Sequence, residues 1–147
     1  MRGRLRDVRG EEGSILPLTI FYGFLSLVLI LLVVAATSLY FERKRLFTLA
    51  DGAALAGAEA FALDDVSLAS GGPRPQLRST EVAAAVRGYL AAAPNDVGSL
   101  AVERAVTTDG RSATVELSGY WRPPVLTVFV PEGFRIEVTA VARSVFF

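Results

Sequence analysis

The chain has 147 residues, 52% of them hydrophobic, with a mean hydropathy of +0.43. Its 15 Lys and Arg balance 15 Asp and Glu, so no basic excess marks a nucleic-acid footprint. Cysteine and histidine are both absent, which excludes a disulfide framework, the commonest zinc ligands, and any Cys/His or Ser/His catalytic arrangement.

The hydrophobic excess is concentrated near the N-terminus. From Gly13 to Phe41 no residue carries a charge. Crossing a hydrocarbon core of ~30 Å takes ~20 apolar residues, because each adds ~1.5 Å to a helix. The run predicts a transmembrane helix over residues 13–41, preceded by a short arm, 1–12. Ser14 is placed to cap it, and Pro17 falls in the first turn, where a missing N–H costs little. Tyr40 stands where an interfacial aromatic belt would be, while Ser26, Thr37 and Ser38 are expected to bond back to their own helix.

The rival to an anchor is a cleaved signal, with Arg2, Arg4, Arg6 and Arg9 as its basic region and Val34-Ala35-Ala36 as small residues near a cut. A signal's apolar core is usually ~7–15 residues, shorter than this run. A charged clamp, Glu42-Arg43-Lys44-Arg45, also follows directly. The anchor is therefore the expected reading, with membrane lipid as its first partner. The clamp stops the helix sliding and brings basic groups to anionic head groups. The arm's arginines slightly outweigh the clamp's cations, so the N-terminus is expected in the cytoplasm and the C-terminal domain outside.

Beyond the clamp, strong helix formers continue to Asp64-Asp65, predicting a helical stalk over 42–65. Small residues recur there every four positions: Ala50, Ala54, Ala58 and Ala62 in one row, Gly52, Ala56 and Ala60 in a second, and Ala53 with Gly57 in a third. Such rows line one helix face and let another element approach closely. Ala50, Ala54, Gly57 and Ala58 are the expected packing residues, either against the chain's own domain or against neighbouring subunits. Gly71-Gly72-Pro73-Arg74-Pro75 reads as a loop. A second helix follows, with Ser79 or Thr80 as N-cap, Glu81 in the first turn, an apolar side of Val82, Val86, Leu90 and Ala93, and Pro94-Asn95 as its end.

The remainder reads as strands: Leu100 to Val106 and Ala113 to Tyr120 about a turn at Asp109-Gly110, a short run from Val125 to Val130, and Arg135 to Val145. Val115 and Leu117 alternate with polar Thr114, Glu116 and Ser118, and the last run places Ile136, Val138, Ala140 and Ala142 on one face. The expected fold is α+β and pilin-like: a long N-terminal helix, one further helix, and a small antiparallel sheet, with residues 66–147 forming the extracytoplasmic domain.

No constellation demands chemistry. Asp64-Asp65 reads as a solvated pair at a helix end rather than an acid and base, and no phosphate loop has the proper spacing. Trp121, the single tryptophan, is either a contact anchor or a residue packed over the sheet. No catalytic residue, cofactor, metal, nucleic acid or small-molecule substrate is expected.

Two segments carry a family resemblance. Arg9-Gly10-Glu11-Glu12-Gly13-Ser14 leads into the apolar run. Beyond it, Arg45, Leu46, Leu49, Ala50, Asp51, Ala53, Ala54, Leu55, Ala56, Gly57 and Ala58 form the second pattern. Together they resemble the N-terminal region of TadE/TadG-like proteins of the Tad (Flp, tight-adherence) pilus assembly system. The resemblance covers roughly the first 60 residues and is looser beyond. It implies a structural, minor pilin-like component of a bacterial cytoplasmic membrane, with other pilus or assembly-platform membrane proteins as partners. Prepilin-type members are cut after a glycine, with a glutamate at the fifth mature position. A cut between Gly13 and Ser14 would put Leu18 there, and a cut after Gly10 would put Ile15 there. An unprocessed, TadG-like protein is therefore expected. The other class is a stand-alone membrane-tethered envelope binding module unrelated to pili.

Overall fold

The computed structural model describes residues 15–61, 67–69, 72–74, 76–124, 127 and 131–143. The arm, Asp64-Asp65, the Gly13-Ser14 junction and nearly all of the strand expected over Val125 to Val130 lie outside the described residues. The chain divides into two compact units, Met1–Thr37 and Ser38–Phe147. In order, its elements are α1 (Ile15–Ala58), β1 (Ser67–Ala69), β2 (Gly72–Arg74), α2 (Ser79–Ala92), β3 (Ala101–Val106), β4 (Ser112–Trp121) and β5 (Phe134–Arg143).

The first unit is helical from Ile15 onward, and its large apolar side chains are exposed almost throughout. A run rich in Leu, Ile and Phe forms helix readily, since every backbone group is satisfied within the segment. Thr19 donates its hydroxyl to the Ile15 carbonyl at 2.9 Å, so even its polar side chain is satisfied locally.

The second unit is the expected α+β domain. β3, β4 and β5 form an antiparallel sheet with β4 in the centre. β4 and β5 pair without interruption from Ser112–Arg143 to Trp121–Phe134, whereas the β3–β4 ladder shifts register between Val102 and Arg104. The inner face carries Ala113, Val115 and Leu117 of β4 with Val138 and Ala140 of β5, all buried. They form one core with Leu46, Ala50, Ala53, Ala54 and Ala58 of α1 and Val82 and Val86 of α2. Full burial of a Leu or Val contributes about 1.5–3 kcal/mol. These few large side chains therefore carry the stability, and the alanines set the closeness of approach.

Three local readings change. α1 ends at Ala58, short of Asp64-Asp65, with a tightened last turn in which Glu59 N–H donates to Leu55 O and Ala60 N–H to Gly57 O. Neither Ser79 nor Thr80 caps α2. Arg78 occupies the N-cap with no side-chain cap bond, because the Ser79 hydroxyl is engaged across the fold, donating to Thr107 O at 3.3 Å and accepting Thr107 N–H at 3.2 Å. The stretch read as a glycine–proline loop includes β2, paired antiparallel with β1 through Leu68 and Pro73. A two-stranded ribbon tolerates proline at such a position.

Candidate membrane anchor and packing face

The apolar segment of α1 is long and uncharged enough to span a bilayer, and its most apolar stretch buries none of itself within the protein. A core helix of a soluble protein would hide such a surface. Leaving it in water would expose an apolar area far beyond that of ordinary soluble surfaces.

Further along α1, the small residues meet the domain itself. Ala50, Ala54 and Ala58 are fully buried, as are Ala53 and Gly57, while Gly52, Ala56 and Ala60 are half-buried. A Cβ built on Gly57 would lie 3.1 Å from Val82 Cγ1, 3.2 Å from Ala113 Cβ and 3.4 Å from Val86 Cγ2. Hydrogen alone fits there without displacement, so at this position side chains of α2 and β4 lie directly against the backbone of α1. All four expected packing residues thus lie in the domain's own core. The opposite side of the same helix leaves Phe47, Asp51 and Leu55 exposed.

Where the uncharged run ends, α1 meets the sheet. The Trp121 indole N–H donates to Ser38 Oγ at 3.1 Å, so Ser38 accepts from β4. Trp121 is half-buried and lies beside Phe134, ring centroids 6.0 Å apart. The turn before Phe134 needs glycine. Gly133 has φ +74°, and a Cβ there would sit 2.5 Å from the Trp121 carbonyl oxygen. Two open grooves flank this end. One, about 520 Å³, lies between Phe41, Lys44, Arg45, Thr48 and Leu49 of α1 and residues 94–97. The other, about 470 Å³, is lined by Ser38, Glu42, Asp96, Gly98, Ser99, Tyr120, Trp121 and Arg122. Arg43, Lys44 and Arg45 are exposed.

The outer face of the sheet is polar. Ser118 donates to Glu103 Oε1 at 2.6 Å, Arg135 bonds Glu103 at 2.9 Å and Glu137 at 2.8 Å, and Arg104 pairs with Glu116 at 2.9 Å. Exposed pairs of this kind contribute about 0–1 kcal/mol each. The β3–β4 turn is built as expected. Asp109 Oδ1 accepts Ser112 N–H at 2.7 Å and Arg111 N–H at 2.9 Å, which holds its carboxyl well below the usual carboxylate range. No signal in the sequence pointed to Ser38–Trp121 or Ser79–Thr107. Both bonds join residues distant in the chain through common side chains with no diagnostic spacing.

A small α+β domain carried by a long apolar helix of membrane-spanning length is the class these features define. Residues 13–69 match the family model described as putative Flp pilus-assembly TadE/G-like. The match covers the apolar run and the small-residue face, under half of the chain, and bears out the resemblance to TadE/TadG-like proteins of the Tad pilus system. No curated protein and no solved structure matches the chain.

Proposed function

We propose that this protein is a structural, membrane-anchored component of a Tad/Flp-type pilus assembly or secretion machine, minor pilin-like and closest to the TadG-like branch. One observation carries the reading: the TadE/G-like match spans both the exposed apolar segment and the helix face that organises the domain. The apolar segment holds the chain in the bacterial cytoplasmic membrane as a single span, with the N-terminus in the cytoplasm and the domain outside. It remains uncut, because neither glycine junction places a glutamate at the fifth position. The protein acts by packing rather than by catalysis. Because Ala50, Ala54, Gly57 and Ala58 are used within the domain, pilins or platform proteins dock on the lipid-facing side of the span and beside Phe47 and Leu55.

Four measurements test this. Deletion of the protein is expected to remove surface pili, and purification in mild detergent to bring down pilin or platform membrane proteins. Recovery of a lone monomer together with intact piliation would replace the proposal with a stand-alone envelope binding module. A reporter fused after Phe147 that works only outside the cytoplasm should be active, and N-terminal sequencing should not begin at Ser14.

A further inference from the structure

The aromatic end of the sheet lies at the level where the uncharged run of α1 stops. A helix from Ile15 to Phe41 is about 40 Å long at ~1.5 Å per residue. The hydrocarbon core takes ~30 Å and the whole bilayer ~40–45 Å. The ~10 Å in excess of the core, shared between the two ends of the run, places its closing residues, Ser38 to Phe41, in turns at the headgroup layer. Ser38 falls in those turns, and Trp121 is hydrogen-bonded to it. Whatever layer holds Ser38 also holds Trp121. Three further rings mark the same level: Phe134, 50% exposed and beside Trp121, and the exposed edge-to-face pair Tyr40 and Phe41. Tyr120, the neighbour of Trp121 on β4, is exposed as well. Five aromatic rings close to this end, with the exposed Arg122 and Lys44, form the composition that the bilayer interface selects.

From this we infer that the β4–β5 end of the domain is a second, non-spanning membrane contact. Trp121 and Phe134 sit among the lipid head groups, beside the turn of α1 that carries Ser38. The inference rests on the proposal that α1 spans the membrane. Trp121 has its indole N–H satisfied by Ser38, so its ring enters the interface without leaving a donor unpaired.

The single tryptophan makes a direct test available. The full chain is reconstituted in phosphatidylcholine–phosphatidylglycerol vesicles and floated on a density gradient. Trp121 emission is then measured with lipids brominated at shallow or deep acyl positions, and with aqueous iodide. The expected result is flotation, a blue-shifted emission, stronger quenching by the shallow bromines than by the deep ones, and little quenching by iodide. A second protein, Trp121→Phe with Val141→Trp, moves the probe seven residues along β5, about 23 Å at ~3.3 Å per residue. Its emission should be open to iodide and indifferent to brominated lipid. Flotation with Trp121 indifferent to brominated lipid overturns the interfacial contact and leaves the anchor standing. Failure to float overturns both.

Discussion

Gly57→Val tests whether the small-residue face of α1 packs within its own domain. The nearest three atoms to a Cβ at this position stand at 3.1, 3.2 and 3.4 Å and come from Val82, Ala113 and Val86. Carbon pairs are comfortable at about 3.5–4.0 Å. An alanine thus asks its neighbours to yield by a few tenths of an ångström, while gaining up to about 1 kcal/mol of helix propensity over glycine. Gly57→Ala should therefore lie near neutral. Valine adds two methyl groups where two elements already touch, and overpacking of this kind costs about 1–3 kcal/mol. With a urea dependence of about 1–3 kcal/mol/M, the unfolding midpoint should fall by roughly 1 M. The assay is urea unfolding of the full chain in mild detergent, followed by Trp121 fluorescence. Leu55→Ala, on the exposed side of the same helix, should change stability by no more than about 0.5 kcal/mol. An unchanged midpoint for Gly57→Val, with a clear loss for Leu55→Ala, would refute the assignment of the buried face.

Three further outcomes follow from the same structure. Leu46 is 1% exposed and, with Leu117, among the largest fully buried side chains of the core, so Leu46→Ala should cost about 2–5 kcal/mol by the same urea measurement. Ser79→Ala leaves both the Thr107 N–H and the Thr107 carbonyl without their partner and should cost about 1–2 kcal/mol, whereas an ordinary N-cap role would be partly rescued by Ser79→Gly. The Asp109 carboxyl is held below its ordinary value by the backbone N–H groups of Ser112 and then Arg111. Its contribution is thus present above the unfolded value, about 4, and is lost as pH falls through the lower folded value. Asp109→Asn should be less stable than the parent at pH 7, and urea midpoints of the two should converge as the medium is acidified below pH ~4; a gap that stays constant down to pH 2 would remove the carboxylate from this account.

Much of the architecture is written in local pattern. The uncharged run from Gly13 to Phe41 can only be helix if it lies in lipid, because no other single segment satisfies its backbone there. The spacing of Val115 and Leu117, and of Val138 and Ala140, two residues apart with polar residues between, fixes which face of each strand turns inward, since neighbouring side chains point to opposite faces of a strand. The Asp109-Gly110 turn and the proline that follows α2 are legible for the same reason, each acting through bonds to near neighbours.

What the tertiary structure decided is choice of partner. A row of alanines states that something comes close to α1 without stating what, and only the fold shows that α2 and β4 take that place at Gly57. Ser79 has the chemistry of a cap, and the backbone of Thr107 claims its hydroxyl instead. Trp121 offers a donor and a large ring, and the 83 residues that separate it from Ser38 give the sequence no means of joining them. Periodicity and propensity act over a few residues, so they determine elements and faces. Which face meets which is settled by packing between segments far apart in the chain, and that information exists only once the chain has closed on itself.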